Sequence, residues 1–166
     1  MHSILQHFNN KFLPLLPETR FFGFKRSMWR LAGVYIGRNV RICSSVTISG
    51  SGYLSIHDNT WVGPQVMICA SNSVSIGSDC DIAPRVYIGD GTHEITPNRE
   101  RIADIESTKA ILIGNGCWIC ANATILAGAR IANKCVVGAG AVVTRNFNEE
   151  QILIAGIPAE KKKELR

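Results

Sequence analysis

No stretch of this chain approaches the roughly twenty consecutive apolar residues that a membrane-spanning helix requires. Met1 to Asn10 lacks both a continuous apolar core and a small-residue cleavage site, so it does not read as a secretory leader, and a soluble cytoplasmic protein is the expectation. Aromatic residues are sparse at 7%, and they are not interleaved with basic residues in the manner of any nucleic-acid reader, so no nucleic-acid partner is expected. Histidine is scarce too. The four present (His2, His7, His57 and His93) show no paired spacing, which leaves a three-histidine zinc centre without ligands and predicts no metal. Acidic residues almost vanish from one end: residues 1 to 41 hold Glu18 against Lys11, Arg20, Lys25, Arg26, Arg30, Arg38 and Arg41, a local charge of +6 within a total of +5.

What the chain does have is a period of six. Fifteen isoleucine or valine residues form five runs spaced by six: Ile36, Ile42, Ile48; Ile56, Val62, Ile68; Ile76, Ile82, Ile88; Ile113, Ile119, Ile125; Ile131, Val137, Val143. That spacing fits neither the 3.6 of a helix nor the alternation of a simple strand, so it reads as a structural repeat. Four places after each of these come small or medium side chains such as Val40, Thr60, Cys80, Cys117, Ala123, Cys135 and Ala141. Directly after many of them comes Gly or Ala, expected where the chain turns a corner. Three hexads close one triangular coil, and stacked coils would build aliphatic ladders at the ~4.8 Å inter-strand spacing. The prediction is an all-β parallel β-helix of about five coils, ~24 Å long.

The register marks the boundaries. Ile36, Ile56 and Ile76 are 20 apart, which is 18 plus a two-residue insertion, whereas Ile113 to Ile131 is 18. Ile76 to Ile113 is 37, so an excursion of about nineteen residues leaves the prism near Thr92 and returns near Ala110. Three segments follow: a basic amphipathic cap over 1–33 with a helix from about Glu18 to Leu31, the repeat over 34–148 with its protruding loop at 92–110, and a tail with a short helix over 149–166. The cap has two readings, a lid on the open first coil and a contact with an anionic membrane face, which would place the protein at the inner surface of the membrane.

Six cysteines include the pair Cys117 and Cys120, but the register gives Cys80, Cys117 and Cys135 to the inward position and Cys43, Cys69 and Cys120 to the position after the ladder residue. Reduced structural thiols are expected, in keeping with a reducing compartment. His93 is the histidine of interest because it stands at the root of the excursion, and loops on a rigid scaffold are where reactive groups gather. Asp90 and Glu94 are its candidate orienting partners, with a backbone carbonyl as the alternative.

The run Gly91-Thr92-His93, then Ile113-Gly114-Asn115-Gly116-Cys117-Trp118-Ile119-Cys120-Ala121, then Gly138-Ala139-Gly140-Ala141-Val142-Val143-Thr144-Arg145, closing on Ala155-Gly156-Ile157-Pro158-Ala159, resembles the hexapeptide-repeat acetyltransferases, above all the galactoside, maltose and polysaccharide O-acetyltransferases. The resemblance spans about residues 34 to 160. It implies a left-handed β-helix, a homotrimer, and acetyl-CoA lying in a groove between neighbouring prisms. His93 matches the general base that removes the proton of a sugar hydroxyl, which then attacks the thioester directly without an acetyl-enzyme. Trp118 matches a tryptophan lining the cleft, against pantetheine or sugar, and Trp61 falls near an aromatic that touches the acceptor. Ala121 and Ala139 match positions that bond the pantetheine amides, and Thr144 and Arg145 lie near the adenine and phosphates. Glu160 departs from the family, which has a basic residue there, so Lys161 is the candidate contact for the 3′-phosphate. A sugar, or a nucleotide- or lipid-linked sugar such as a surface-polysaccharide precursor, is the implied acceptor. N-acetylation of an amino sugar, a metal-dependent hydratase and a non-catalytic role are the competing classes.

Overall fold

The computed structural model describes residues 1–165. Short strands stack into three parallel sheets, one for each face of a prism. The first face is made by Tyr35–Ile36, Tyr53–Ile56, Ser73–Ile76, Ile111–Ile113 and Arg130–Ile131, and the third by Thr47–Ser49, Met67–Cys69, Tyr87–Gly89, Thr124–Leu126 and Val142–Val143. On the second face stand Arg41–Ile42, Trp61–Val62, Asp81–Ile82, Trp118–Ile119, Val136–Val137 and Ile152–Ala155.

The register pairs the residues that the hexads align: Ile36 with Ile56, Ile56 with Ile76, Ile76 with Ile113, and Ile113 with Ile131 on the first face. All fifteen ladder residues are buried, and each contributes ~1.5–3 kcal/mol of apolar burial. The β-helix and its five coils are as expected. A sixth, partial coil was not: Phe147 bridges to Ile131, and Ile154 continues the ladder of the second face above Val137.

The corners differ from the expected arrangement. Left-handed backbone falls three residues after the ladder position, at Asn39, Asn59, Gln65, Asp79, Arg85, Asn122 and Lys134, with φ between +55 and +60°. The small residues directly after the ladder answer instead to the next coil. A Cβ on Gly77 would lie 2.6 Å from Asn115 Oδ1 and 2.7 Å from the Gly114 backbone, so only glycine lets the coils close up there. The asparagines at the positive-φ positions are also bonded to one another, Asn39 Nδ2 donating to Asn59 Oδ1 (3.2 Å) and Asn59 Nδ2 to Asp79 Oδ1 (2.9 Å).

Cys80, Cys117 and Cys135 face inward, and their thiols donate to carbonyls of the following coil at Gly114 (3.1 Å), Ala132 (3.1 Å) and Glu149 (3.3 Å). No cysteine forms a disulfide. Burial pushes the Cys43, Cys120 and Cys135 thiols above their ordinary 9.0. Their protons are therefore held more tightly in the folded than in the unfolded chain, and the stability this gives is complete below pH 9 and lost as the pH climbs further. Buried Lys25 acts oppositely: desolvation lowers its pKa from 10.5, so it favours folding as pH rises toward that value. Cys117 and Tyr87 are also raised while Cys80 joins Lys25 in being lowered, so the raised groups outnumber the lowered ones and predict a thermal midpoint that falls above pH 9, which a series of melts from pH 7 to 10.5 would measure; replacing Cys135 by serine should flatten the fall.

Both ends of the chain depart from expectation. The cap holds two helices, α1 (Ser3–Phe12) and α2 (Phe22–Leu31), where one helix from about Glu18 was expected. Pro14 and Pro17 fall between them, and Phe21 sits in the left-handed region at φ +56°, so the helical path cannot begin before residue 22. The segment expected as a tail with a short helix instead forms Ile152–Ala155 and an antiparallel strand, Glu160–Glu164, that closes the second face. The excursion is a β-hairpin of Gly91–Ile95 against Ala103–Thr108.

Candidate active site

The hairpin leaves the third face at Asp90, and this residue holds it in place. Asp90 is fully buried. Its carboxylate accepts backbone N–H bonds from Ser71 (2.7 Å), Asn72 (2.8 Å) and Ser73 (2.7 Å), its carbonyl accepts from Lys109 N–H (2.9 Å), and its own N–H donates to Cys69 O (3.2 Å). One residue thus ties both feet of the hairpin to the corner loop of the coil below. Charge-assisted bonds of this kind are roughly twice as strong as neutral ones. Asp90 therefore does not orient the His93 imidazole, since its oxygens are turned into the loop.

His93 stands exposed on the first hairpin strand, directly opposite Glu106. A hollow of about 220 Å³ is lined by Ser71, Gly91, Thr92, His93, Glu106, Ser107 and Thr108. Glu94 does not line it. Ser71, Glu106, Ser107 and Thr108 are the members of this group that the sequence did not single out. The register across the hairpin would have identified Glu106; Ser71 lies between Ile68 and Ile76, the stretch that the 20-residue spacing lengthens in the coil below.

The remaining expected residues fall into separate groups. Thr144 joins Gly91, Thr92, Lys109, Leu126 and Ala127 around a second hollow of about 250 Å³ on the other side of the hairpin root. Arg145 and Lys161 line a third of about 350 Å³, where the Arg145 guanidinium lies over the Phe147 ring at 5.5 Å from its centroid. Lys161 is already paired with Glu149 and Glu164, and these carboxylates raise its pKa. Ala121 and Ala139 stack one coil apart at the corner between the second and third faces, where the Gly140 N–H donates to Ala121 O (3.0 Å). Trp118 is 53% exposed on the second face, between Asp81 and Val136. Trp61 stands one rung below Asp81, half-buried, with its ring folded over Gly63, where a Cβ would meet it at 2.8 Å. Within one chain, Trp118 does not line the hollow beside His93.

The family described as bacterial transferase hexapeptide (six repeats) matches residues 110–145. The chain is 36% identical over 119 residues to WbbJ of Escherichia coli, named a lipopolysaccharide biosynthesis O-acetyl transferase, covering 67% of this chain and 60% of that protein. The solved structure of the polysialic acid O-acetyltransferase OatWY is 30% identical, with a TM-score of 0.58 over 79% of this chain and 74% of that one. A hexapeptide-repeat acetyltransferase of Vibrio cholerae, crystallised with acetyl-CoA, shares the fold at a TM-score of 0.71 and 18% identity, over 98% of this chain and 84% of that one. With the ladders in register, the hairpin at the third coil and OatWY alike across most of both chains, the protein belongs to the hexapeptide-repeat acetyltransferase family.

Proposed function

We propose that the chain transfers an acetyl group from acetyl-CoA to a hydroxyl of a sugar, with His93 as the general base. The observation that carries this reading is the placement of His93: an exposed imidazole on a hairpin whose root is clamped by a buried carboxylate, beside a polar hollow, on a prism of this family. The relatives suggest the substrate classes, since WbbJ is named for O-acetyl transfer in lipopolysaccharide biosynthesis, OatWY for O-acetylation of polysialic acid, and the Vibrio cholerae structure holds acetyl-CoA.

The imidazole takes the hydroxyl proton as the oxygen attacks the thioester carbonyl. A tetrahedral oxyanion forms, for which backbone N–H groups are the natural donors. It collapses with cleavage of the C–S bond, and the imidazolium returns its proton to the departing sulfur, giving the acetyl ester and free CoA. No nucleophilic side chain is needed.

The distribution of the other residues supports a cleft shared between copies. His93 lies at the edge of the third face and Trp118 on the second, so a neighbouring prism that presents its second face to the hairpin would unite them; a homotrimer arranges three such clefts. In that cleft Trp118 and Trp61 would present flat aromatic surfaces to pantetheine and acceptor. Ala121 and Ala139 would offer backbone groups to the amide arm, and Thr144, Arg145 and Lys161 would face the anionic end of the cofactor. Lys161 is held by two carboxylates, which leaves the third N–H of its ammonium for a phosphate.

The experiment is a screen for CoA release with hydroxyl sugars, nucleotide sugars and their amino analogues, using purified protein of determined mass in solution. Ester formation supports the proposal. Absence of thiol release with every hydroxyl acceptor, or a strict preference for the amino analogues, overturns it in favour of no transfer or of N-acetylation. Trp118→Ala is expected to raise the KM for acetyl-CoA roughly tenfold, equivalent to ~1.4 kcal/mol, without lowering the thermal midpoint, because the ring is half out of the core.

A further inference from the structure

The cap is built inside out. Helix α1 buries Gln6 and Asn9 against the protein and turns Ile4, Leu5 and Phe8 outward, with Ile4 83% and Phe8 50% exposed. The buried polar groups explain the orientation. Gln6 Nε2 donates to Gly50 O (3.0 Å) and Asn9 Nδ2 to Met28 O (2.9 Å), while neighbouring Asn10 donates to Ile48 O (2.7 Å) and accepts from Ile48 N–H (3.1 Å). Helix α2 is inverted in part. Beside Trp29 it buries Lys25, whose ammonium donates to the carbonyls of Pro17 (3.1 Å) and Glu18 (2.7 Å), and it leaves Phe24 46% exposed. Phe8 stacks on Phe12 with centroids 5.4 Å apart, and Phe12 meets Phe24 edge-on at 6.3 Å, so the two helices present one continuous apolar surface. Leu15 adds to it at 79% exposure. An apolar surface of this continuity on a soluble chain marks an interaction face.

The charges select the occupant. Arg26 and Arg30 are spent on carbonyls of Val40, Ile36 and Gly37 at the edge of the first coil. Lys11 and Arg20 are exposed, and neither makes an ion pair or a side-chain hydrogen bond among the described residues. The one carboxylate of the cap, Glu18, is turned to the backbone N–H of Ser45 (3.2 Å). An apolar surface beside unpartnered cations, with no free carboxylate, matches a bilayer carrying anionic headgroups. A second copy docked by a two-fold axis would set two like-charged caps against each other. We infer that the face formed by Ile4, Phe8, Phe12, Leu15 and Phe24 seats in an anionic lipid surface, with Lys11 and Arg20 at the headgroup level.

The test is sedimentation of the full chain with vesicles, which needs no substrate. The protein should cosediment with vesicles of phosphatidylglycerol and phosphatidylcholine, bind phosphatidylcholine alone at least ~10-fold more weakly, and lose binding as salt rises. The double variant Phe8→Asn, Phe24→Asn should reduce binding to the anionic vesicles ~10-fold or more while still melting in one cooperative transition, since both rings are about half exposed. Lys11→Gln with Arg20→Gln should weaken the salt dependence. Three results would overturn the inference: no binding of wild type to anionic vesicles at low salt, equal binding by the aromatic variant, or an aromatic variant whose only change is a smaller assembly in solution, which would assign the face to a second copy.

Discussion

His93→Ala is expected to lower kcat for acetyl transfer by about 10²–10⁴-fold, the range that a positioned general base contributes. The thermal midpoint should stay within about 3 °C of wild type, because an exposed side chain on a hairpin contributes little to the core. KM for acetyl-CoA should change little, as the imidazole acts on the acceptor oxygen. Added imidazole should restore part of the rate, since truncation leaves space beside Glu106 and Ser71 in the hollow. A variant with wild-type turnover would remove His93 from the chemistry and with it the proposed mechanism.

Asp90→Asn should damage both stability and turnover. Three backbone N–H groups converge on the two carboxylate oxygens at 2.7–2.8 Å. An asparagine amide keeps one oxygen and turns its NH₂ toward a donor, so at least one buried N–H loses its acceptor and the rest lose charge assistance. The cost is on the order of 3 kcal/mol, visible as a lower thermal midpoint. The effect should also be local. Amides of Ser71, Asn72 and Ser73 should exchange faster, and the hairpin should become a site of limited proteolysis, as expected when the contacts anchoring a protruding element are lost. Turnover should fall because the imidazole is no longer held over its hollow, whereas His93→Ala should lower turnover alone. The pair of variants separates positioning from proton transfer.

The ladder was legible because one six-residue period fixes both the face and the coil of each residue, and misplacing it by one position would bury polar side chains along the whole prism. The excursion was legible for the same reason, as a break in that register. Its internal form was not: Gly91–Ile95 and Ala103–Thr108 are largely exposed, so no burial pattern marks them as strands or sets Glu106 opposite His93. The sixth rung escaped notice because Ile152 and Ile154 alternate without a second hexad. Helix α1 was hidden because its N-cap, His2, is not a capping residue type and makes no side-chain cap bond; in the fold Gln6 and Asn9 donate to the carbonyls of Gly50 and Met28. The same hydrogen-bonding demand explains Asp90, whose charge argues against burial until its three amide partners are seen. The residues that the resemblance matches to the cofactor are set out as a motif in the sequence, whereas their division among separate surfaces of one chain emerges only from the coil geometry.

The prism also acts as a graduated spacer. Between the cap and the departure of the hairpin the third face carries Thr47–Ser49, Met67–Cys69 and Tyr87–Gly89, two steps of ~4.8 Å. Adding one coil below the coil that carries Ser71 to Ser73 would move the imidazole away from the cap by a single step while leaving every bond of its clamp intact. The height of His93 above the cap is therefore set by counting repeats, independently of the bonds that anchor the hairpin.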